Sequence, residues 1–494
     1  YGFDPIFPPE VEAEAEGIPA EISAAEISKR KDMREVPTFT IDPIDAKDFD
    51  DALSIRTLEN GRYEVGVHIA DVSHYVRPGT DIDREAFQRG TSVYLVDRTV
   101  PMLPEKLSNE VCSLRPEEEK LTYSAIFELD EEAKIHKQWF GRTVIYSDYR
   151  FHYGEAEEVL KGEKDHQFRE QLLTLNRLAY KLREKRFATG SIDFDTDEVK
   201  FVLDDQDKPI GVTKKARGDS NRLIEDFMLL ANRKVAEFIS NKEQGSPLPF
   251  VYRVHDRPDP DKLTNLQEFV KAFGYKVDFS DEKHTSHVMK QLLEKVDGRP
   301  EENVIENIAI RSMAKAVYTT KNVGHYGLGF AHYTHFTSPI RRYPDLLVHR
   351  LMEKYLHGTY DQNPVILEEQ LKHSSNRERI AVEAERTSIK YKQVEYLSDK
   401  IGEEFEGVIS GVIEKGVFVE LVETLCEGLV PVFTIEGDYF FYDEDNYCMR
   451  GRETGMVLQL GDPVIVKITG TDMGKRTIDM ELVKKLEPVG EVLK

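Results

Sequence analysis

The sequence predicts an α+β protein, with a large mixed α/β domain followed by a small five-stranded β-barrel of the OB type. Three observations carry this expectation. The chain has 494 residues, too many for a single compact core, so two or three domains are expected. Period-two alternation through Thr38-Phe39-Thr40-Ile41, Ala52-Leu53-Ser54-Ile55 and Tyr63 to Ile69 gives way further on to apolar residues at helical spacing. After Gly402 the pattern changes abruptly to short apolar runs separated by Gly, Asp and Asn.

Residues 1–36 are rich in Pro, Ala and Glu and lack a sustained apolar repeat, so they read as a linker or the remnant of a preceding domain. The segment opens at Tyr1 without an initiator Met, as though cut from a longer chain. Strands follow from Thr38, with Asn60-Gly61 as a hairpin turn between two of them. Helices are expected from Phe168 to Phe187, Leu223 to Phe238, Asn303 to Thr319 and Asp345 to Tyr355, and a long charged one from Ile366 to about Leu397. This places the mixed α/β domain at residues 37–400. The barrel, at 402–485, draws strands from Phe405–Val412, Gly416–Leu421, Glu427–Val430, Asp462–Ile468 and Lys475–Met480.

Composition narrows the function classes. No run approaches ~18 apolar residues, so no membrane span is expected. Three distant cysteines (Cys112, Cys426, Cys448) make no disulfide framework or zinc site and fit a reducing compartment. The net charge of −24 argues on its face against a nucleic-acid partner. Local clusters decide the field in a cleft, however, and basic residues group at Lys214-Lys215-Ala216-Arg217 and Arg341-Arg342.

Chemistry concentrates in Asp42-Pro43-Ile44-Asp45-Ala46-Lys47-Asp48-Phe49-Asp50-Asp51. Carboxylates this close repel, and burying several is costly without a counter-ion. Such a density of hard oxygen donors suits Mg²⁺ or, as a substitute, Mn²⁺. A pair of such ions can clamp both oxygens of an in-line phosphoryl displacement. On spacing alone a solvated acidic turn is as good a reading. An EF-hand loop fails, because its Gly and terminal Glu are misplaced. In Tyr333 to Asp345, paired Arg residues flanked by aromatics suit a phosphate backbone with stacked bases; the bland alternative has those arginines pairing with the acidic segment. His68, Asp71 and His74 mimic a metal box, but lie in a strand-like stretch that would turn them apart. His255 reads as a structural hydrogen-bonder. In the barrel, Phe405, Phe418 and Tyr439-Phe440-Phe441-Tyr442 offer stacking surfaces, and Lys467, Lys475 and Arg476 offer backbone contacts.

Taken together, these motifs resemble the ribonuclease II/ribonuclease R (RNB) family, with closest likeness to its bacterial ribonuclease R branch. The likeness extends from about Val36 to Val483. It rests on Asp42 to Ala52, Gly90-Thr91-Ser92-Val93-Tyr94 with Val100 to Pro104, Leu107-Ser108-Asn109 to Leu114, Tyr252 to Asp256, and His335 to Asp345. The resemblance implies an RNB catalytic domain closed by an S1-type RNA-binding barrel. It also implies processive 3′→5′ hydrolysis of single-stranded RNA to nucleoside 5′-monophosphates. By it, Asp42, Asp48, Asp50 and Asp51 are metal ligands, with Asp50 decisive for a second ion or the attacking water. Tyr94 clamps the 3′-terminal base, Arg341 holds the scissile phosphate, and Glu385 is a catalytic-site glutamate, with Glu383 as the other register. Phe194 is a second clamp ring, Glu225 a ribose contact, and Arg342, Phe418 and Lys467 further RNA contacts. A cytoplasmic monomer without membrane association is expected. Two cold-shock domains usual before the catalytic region and a basic extension after the barrel are not in the sequence. Pro431 stands where S1-type domains often have His.

Overall fold

A seven-stranded mixed sheet organises the first domain. The computed structural model describes residues 1–192, 198–215, 217–242, 247–281, 284–299, 302–443 and 448–486. In chain order the strands are β1 (Lys31–Asp32), β2 (Thr38–Asp42), β3 (Asp51–Thr57), β4 (Tyr63–Ala70), β5 (Glu118–Leu129), β6 (Ile135–Ser147) and β7 (Tyr149–His152). They lie side by side as β1-β6-β5-β4-β3-β2-β7. The central pairs are antiparallel, and β1 and β7 are added in parallel at the two edges. The β3–β4 connection is the expected Asn60-Gly61 turn; Gly61 takes φ 78°, which a residue without Cβ adopts freely.

Helices α1 (Arg169–Ala188), α2 (Asp219–Ser240) and α3 (Tyr343–Leu356) pack on the sheet. Consequently β4 is buried at six consecutive positions, Val65 to Ala70, instead of alternating. Pro344 falls in the first turn of α3, where its missing N–H costs nothing, so the helix starts at Tyr343 and not after the proline. The long helix α4 runs from Pro364 to Ser398, roughly 52 Å at 1.5 Å per residue.

Two expectations are corrected. The helix expected from Asn303 to Thr319 ends at Ser312, because Val317–Thr319 forms an antiparallel strand with Tyr252–Val254. Residues 1–36 do not hang as a loose linker, since Phe7, Val11, Ala15 and Met33 are buried in the main core.

The expected five strands close into a barrel: Glu404–Ile413, Gly416–Leu421, Glu427–Pro431, Pro463–Asp472 and Thr477–Lys485. An additional three-stranded sheet, Phe440–Asp443, Cys448–Gly451 and Val457–Gln459, is inserted before the fourth strand. There Phe440 is buried with Met449 and Leu458 in the barrel's core, whereas Tyr439 and Phe441 are exposed. The C-terminal end of α4 enters the same core through Val394 and Leu397. No described helix is long and apolar enough to cross a membrane.

Candidate active site

The aspartates gather where β2 ends and β3 begins. Asp42 closes β2 and Asp51 opens β3, so both carboxylates sit at one end of the sheet with the 43–50 loop arching between them. That loop is strapped from below by Ser113, whose hydroxyl donates to Lys47 O at 2.6 Å and accepts the Phe49 N–H at 3.0 Å. Asp50 O accepts the Ala70 N–H at 2.8 Å, which continues the β3–β4 ladder. Nothing in the sequence around Ser113 marks it as the strap, which only the fold reveals.

Asp50 is only 5% exposed. Its Oδ1 accepts the Ile340 N–H at 2.9 Å, and its Oδ2 lies 3.5 Å from Arg341 Nε. The Arg341 side chain is 41% exposed and also donates to Ser338 Oγ at 2.9 Å, so it points past Asp50 toward open space. Its backbone is pinned by the Gly90 block: the Arg341 carbonyl accepts the Ser92 N–H at 3.0 Å, and Gly90 O accepts the Tyr343 N–H at 3.0 Å. Gly90 takes φ 73°, and a Cβ there would meet Arg377 Cβ at 2.8 Å, so this close approach needs glycine. Arg342 turns inward instead, pairing at 2.7 Å with the fully buried Asp345, whose Oδ1 also accepts the Ser338 N–H at 2.8 Å.

Electrostatics at the cluster are strained in a way a cation relieves. Burial, with the neighbouring Asp51 carboxylate, pushes Asp42 up to about 8, and burial pushes Asp51 up to about 6 despite Arg341 and Arg342. Burial likewise raises Asp48 and lifts Asp50 well above the ordinary carboxyl range. Asp42 Oδ2 is buried without a hydrogen-bond partner. Among the described residues no three carboxylate, imidazole or thiolate groups converge as a finished metal cage. Together these facts describe hard oxygen donors bordering an opening, which fits Mg²⁺ or Mn²⁺; such ions take few protein carboxylates and keep several waters.

Tyr94 stands over this group on a short hairpin. Its hydroxyl lies 3.4 Å from Asp48 Oδ2, and its N–H donates to Glu385 Oε1 at 2.9 Å. Glu383, the other register, pairs instead with Arg379 on the exposed side of α4. Glu225 accepts from Arg217 at 2.5 Å. Tyr153, which the sequence reading missed, lies within electrostatic reach of both Glu225 and the aspartates. Burial first, then the Asp51 and Asp42 carboxylates, raise its phenol, and Glu225 adds to the effect. A single Tyr opening a helix carries no spacing signal, so only the fold reveals it. Phe194 lies outside the described residues.

Other candidates fall elsewhere. Asp45 pairs with exposed Lys200 at 3.1 Å, on the rim. His68 is bracketed by Ser54 Oγ at 2.8 Å and Ser124 Oγ at 2.7 Å, while Asp71 binds Arg30 and Arg142, so the apparent metal box is a structural network. His255 bonds Ala314 O and the Gly327 N–H, as a structural histidine should. Phe418 and Lys467 are half-buried on barrel strands. Phe418 lines an opening of about 670 Å³ between the barrel and the helices Pro260–Ala272 and Glu302–Ser312.

Comparison with known proteins identifies the family of both domains. The RNB domain family matches residues 30–358, and the S1 RNA binding domain family matches residues 398–482. Ribonuclease R of Aquifex aeolicus is 42% identical, over 99% of this chain and 70% of its own length. Ribonuclease R of Thermotoga maritima is also 42% identical, over 97% of this chain and 69% of its own length. Among solved structures, that of Mycoplasma genitalium RNase R in complex with ribose methylated single-stranded RNA superposes with a TM-score of 0.90. It is 30% identical and covers 96% of this chain and 75% of that one.

Proposed function

The chain belongs to the ribonuclease R branch of the RNB family, 3′→5′ exoribonucleases acting on RNA, and from that premise we propose how its own residues divide the work. Single-stranded RNA, guided by the barrel at 402–485, enters the domain at 37–400 and is shortened processively to nucleoside 5′-monophosphates. Asp42, Asp48, Asp50 and Asp51 hold divalent cations, Mg²⁺ with Mn²⁺ as a substitute. When bound, such ions would supply the positive charge that an in-line phosphoryl displacement needs.

The rest follows from the side chains. Arg341, anchored by Ser338 and facing outward, binds the non-bridging oxygens of the last phosphodiester and stabilises the charge that develops there. Tyr94, an exposed residue, presents its ring for the 3′-terminal base to stack on. Arg342 and Asp345 keep the Arg341 loop in place, so their contribution is to positioning. Tyr153, close enough to Asp42, Asp51 and Glu225 to feel their charges, meets the ribose together with Glu225. Phe418 and Lys467 meet RNA at the barrel.

The observation that carries the reading is the meeting of four raised carboxylates with an outward-facing arginine and an exposed tyrosine from distant parts of the chain. The test is Mg²⁺-dependent release of 5′-monophosphates from a labelled single strand. Asp50→Asn, which keeps an acceptor for the Ile340 N–H, should abolish release without unfolding the protein; full activity in that variant would refute the assignment.

A further inference from the structure

The hairpin carrying Tyr94 is fastened to α4 at two points. Its strands, Val93–Tyr94 and Thr99–Val100, pair Val93 with Val100 and Tyr94 with Thr99, and Leu95 N–H donates to Arg98 O at 2.9 Å. Since the N–H of residue 95 turns inward, those of residues 94 and 96 face out, as alternate residues of a strand must. A two-stranded ribbon this short is not stable by itself. Here both outward donors meet side chains of one helix: Tyr94 N–H donates to Glu385 Oε1 at 2.9 Å, and Val96 N–H to Ser388 Oγ at 3.1 Å. Residues 385 and 388, three apart, lie on the same face of α4.

Two serines of this helix accept a backbone N–H from outside it, Ser375 that of Tyr318 at 2.9 Å and Ser388 that of Val96 at 3.1 Å. Ser374, Ser375, Thr387 and Ser398 all donate back to carbonyls of α4 itself, the usual habit of Ser and Thr within helices. The contact made by Ser388 is with the hairpin. Beneath it Val93 and Val100 pack on Ala381 and Ala384, whose small side chains admit the ribbon close to the helix, with Phe3 and Leu95 at the margin.

We propose that Ser388 is a positioning residue for RNA hydrolysis: by accepting the Val96 N–H it holds the hairpin at the height at which the Tyr94 ring meets the 3′-terminal base. This rests on the reading of Tyr94 as the stacking ring. Glu385 makes the neighbouring contact but is, by the family resemblance, a catalytic-site glutamate, so Ser388 isolates the positioning effect. Removing its hydroxyl leaves the Val96 N–H unpaired, and the hairpin tip tilts away from α4. Stacking matters most when few nucleotides remain bound. The loss therefore appears as weaker binding of short RNA and earlier release of the shortened chain, while turnover on long RNA is retained.

The experiment compares Ser388→Ala, Ser388→Thr and Tyr94→Ala in the full chain with Mg²⁺. It measures final product length on a labelled single strand, KM for a short oligonucleotide, kcat on long RNA and Tm. Tyr94→Ala should raise KM for the short substrate roughly 5- to 150-fold, the range of one lost base–aromatic stack. Ser388→Ala should lengthen the final product and raise the same KM roughly 3- to 10-fold, the range of one lost hydrogen bond. Its kcat on long RNA should be unchanged. Ser388→Thr, which keeps the acceptor, should restore wild-type values. If Tyr94→Ala shifts product length and KM while Ser388→Ala shifts neither, the positioning role is wrong. Ser388→Thr behaving like Ser388→Ala, or a fall in Tm accompanied by an equal loss on long and short RNA, would overturn it too. If Tyr94→Ala itself changes neither quantity, the stacking reading fails and the proposal falls with it.

Discussion

Asp50 Oδ1 accepts the Ile340 N–H at 2.9 Å, joining segments 290 residues apart in sequence. The same carboxylate sets its Oδ2 3.5 Å from Arg341 Nε. One side chain thus fixes the distance between the proposed cation ligands and the proposed phosphate ligand.

Arg341 is therefore expected to matter for turnover more than for affinity. Arg341→Ala should lower single-turnover kcat by roughly 10²–10³-fold, the cost of one lost oxyanion donor. Arg341→Lys should recover only part of this, since a point charge lacks the planar fork. RNA binding measured by fluorescence anisotropy should weaken less than kcat falls. An Ala variant turning over within tenfold of wild type would rule out the phosphate-binding role.

Cation binding should couple to pH. Folded Asp42 titrates at about 8 and Asp51 at about 6, above the ~3.9 of an unfolded chain. A carboxyl raised by folding contributes stability that is complete below its unfolded value and lost as pH rises through its folded value. In chelator, Tm should therefore drop between pH 5 and pH 8 by more in wild type than in Asp42→Asn. Millimolar Mg²⁺ binds the ionised carboxylates, so its stabilising effect should be larger at pH 8 than at pH 5. Calorimetry showing equal Mg²⁺-induced shifts at both pH values would contradict this coupling.

The network at Asp71 should behave in the opposite sense. Burial alone would raise this carboxyl, but Arg142 and Arg30 at 2.8 Å outweigh it and hold the group well below the usual range. Its contribution is present above pH ~4 and lost as pH falls further. Asp71→Asn takes from Arg30 and Arg142 the carboxylate they share, leaving them only Glu26 and Glu353, and should cost up to about 3–5 kcal/mol at pH 7, by denaturant titration. The difference from wild type should narrow toward pH 3. The Mg²⁺ requirement per folded molecule should be unchanged, because this group is structural.

Phe418 should contribute to RNA capture. Phe418→Ala is expected to raise Kd for a long single strand roughly 5- to 150-fold while leaving kcat on short RNA intact, if a base stacks there. An unchanged Kd would mean that the ring only lines the opening beside Leu266 and Phe269.

The parts of this protein legible in sequence are those whose signal is local. The aspartate box stood out because its carboxylates fall within one turn between two strands, and the barrel because its strands are short, regular and punctuated by Gly and Asp. Helices with unbroken apolar periodicity were located within a few residues. What escaped depends on partners distant in the chain. Val317–Thr319 continued a helical pattern until pairing with Tyr252–Val254 drew it into a strand. The burial of Phe7 and Val11 is decided by the core they meet and not by the composition around them. Tyr153 and Ser113 acquire meaning only from their proximity to Asp42, Asp51 and the 47–49 backbone.

The long helix has a mechanical consequence. Its hydrogen bond to the Tyr94 hairpin at Ser388 is followed closely by its bonds to the barrel, Lys390 Nζ donating to Glu427 O at 2.6 Å and Gln393 donating to Leu425 O at 3.2 Å. Both attachments fall within about two turns of one rigid rod. A load placed on the barrel would therefore reach the hairpin of the proposed stacking ring through one short stretch of a single helix.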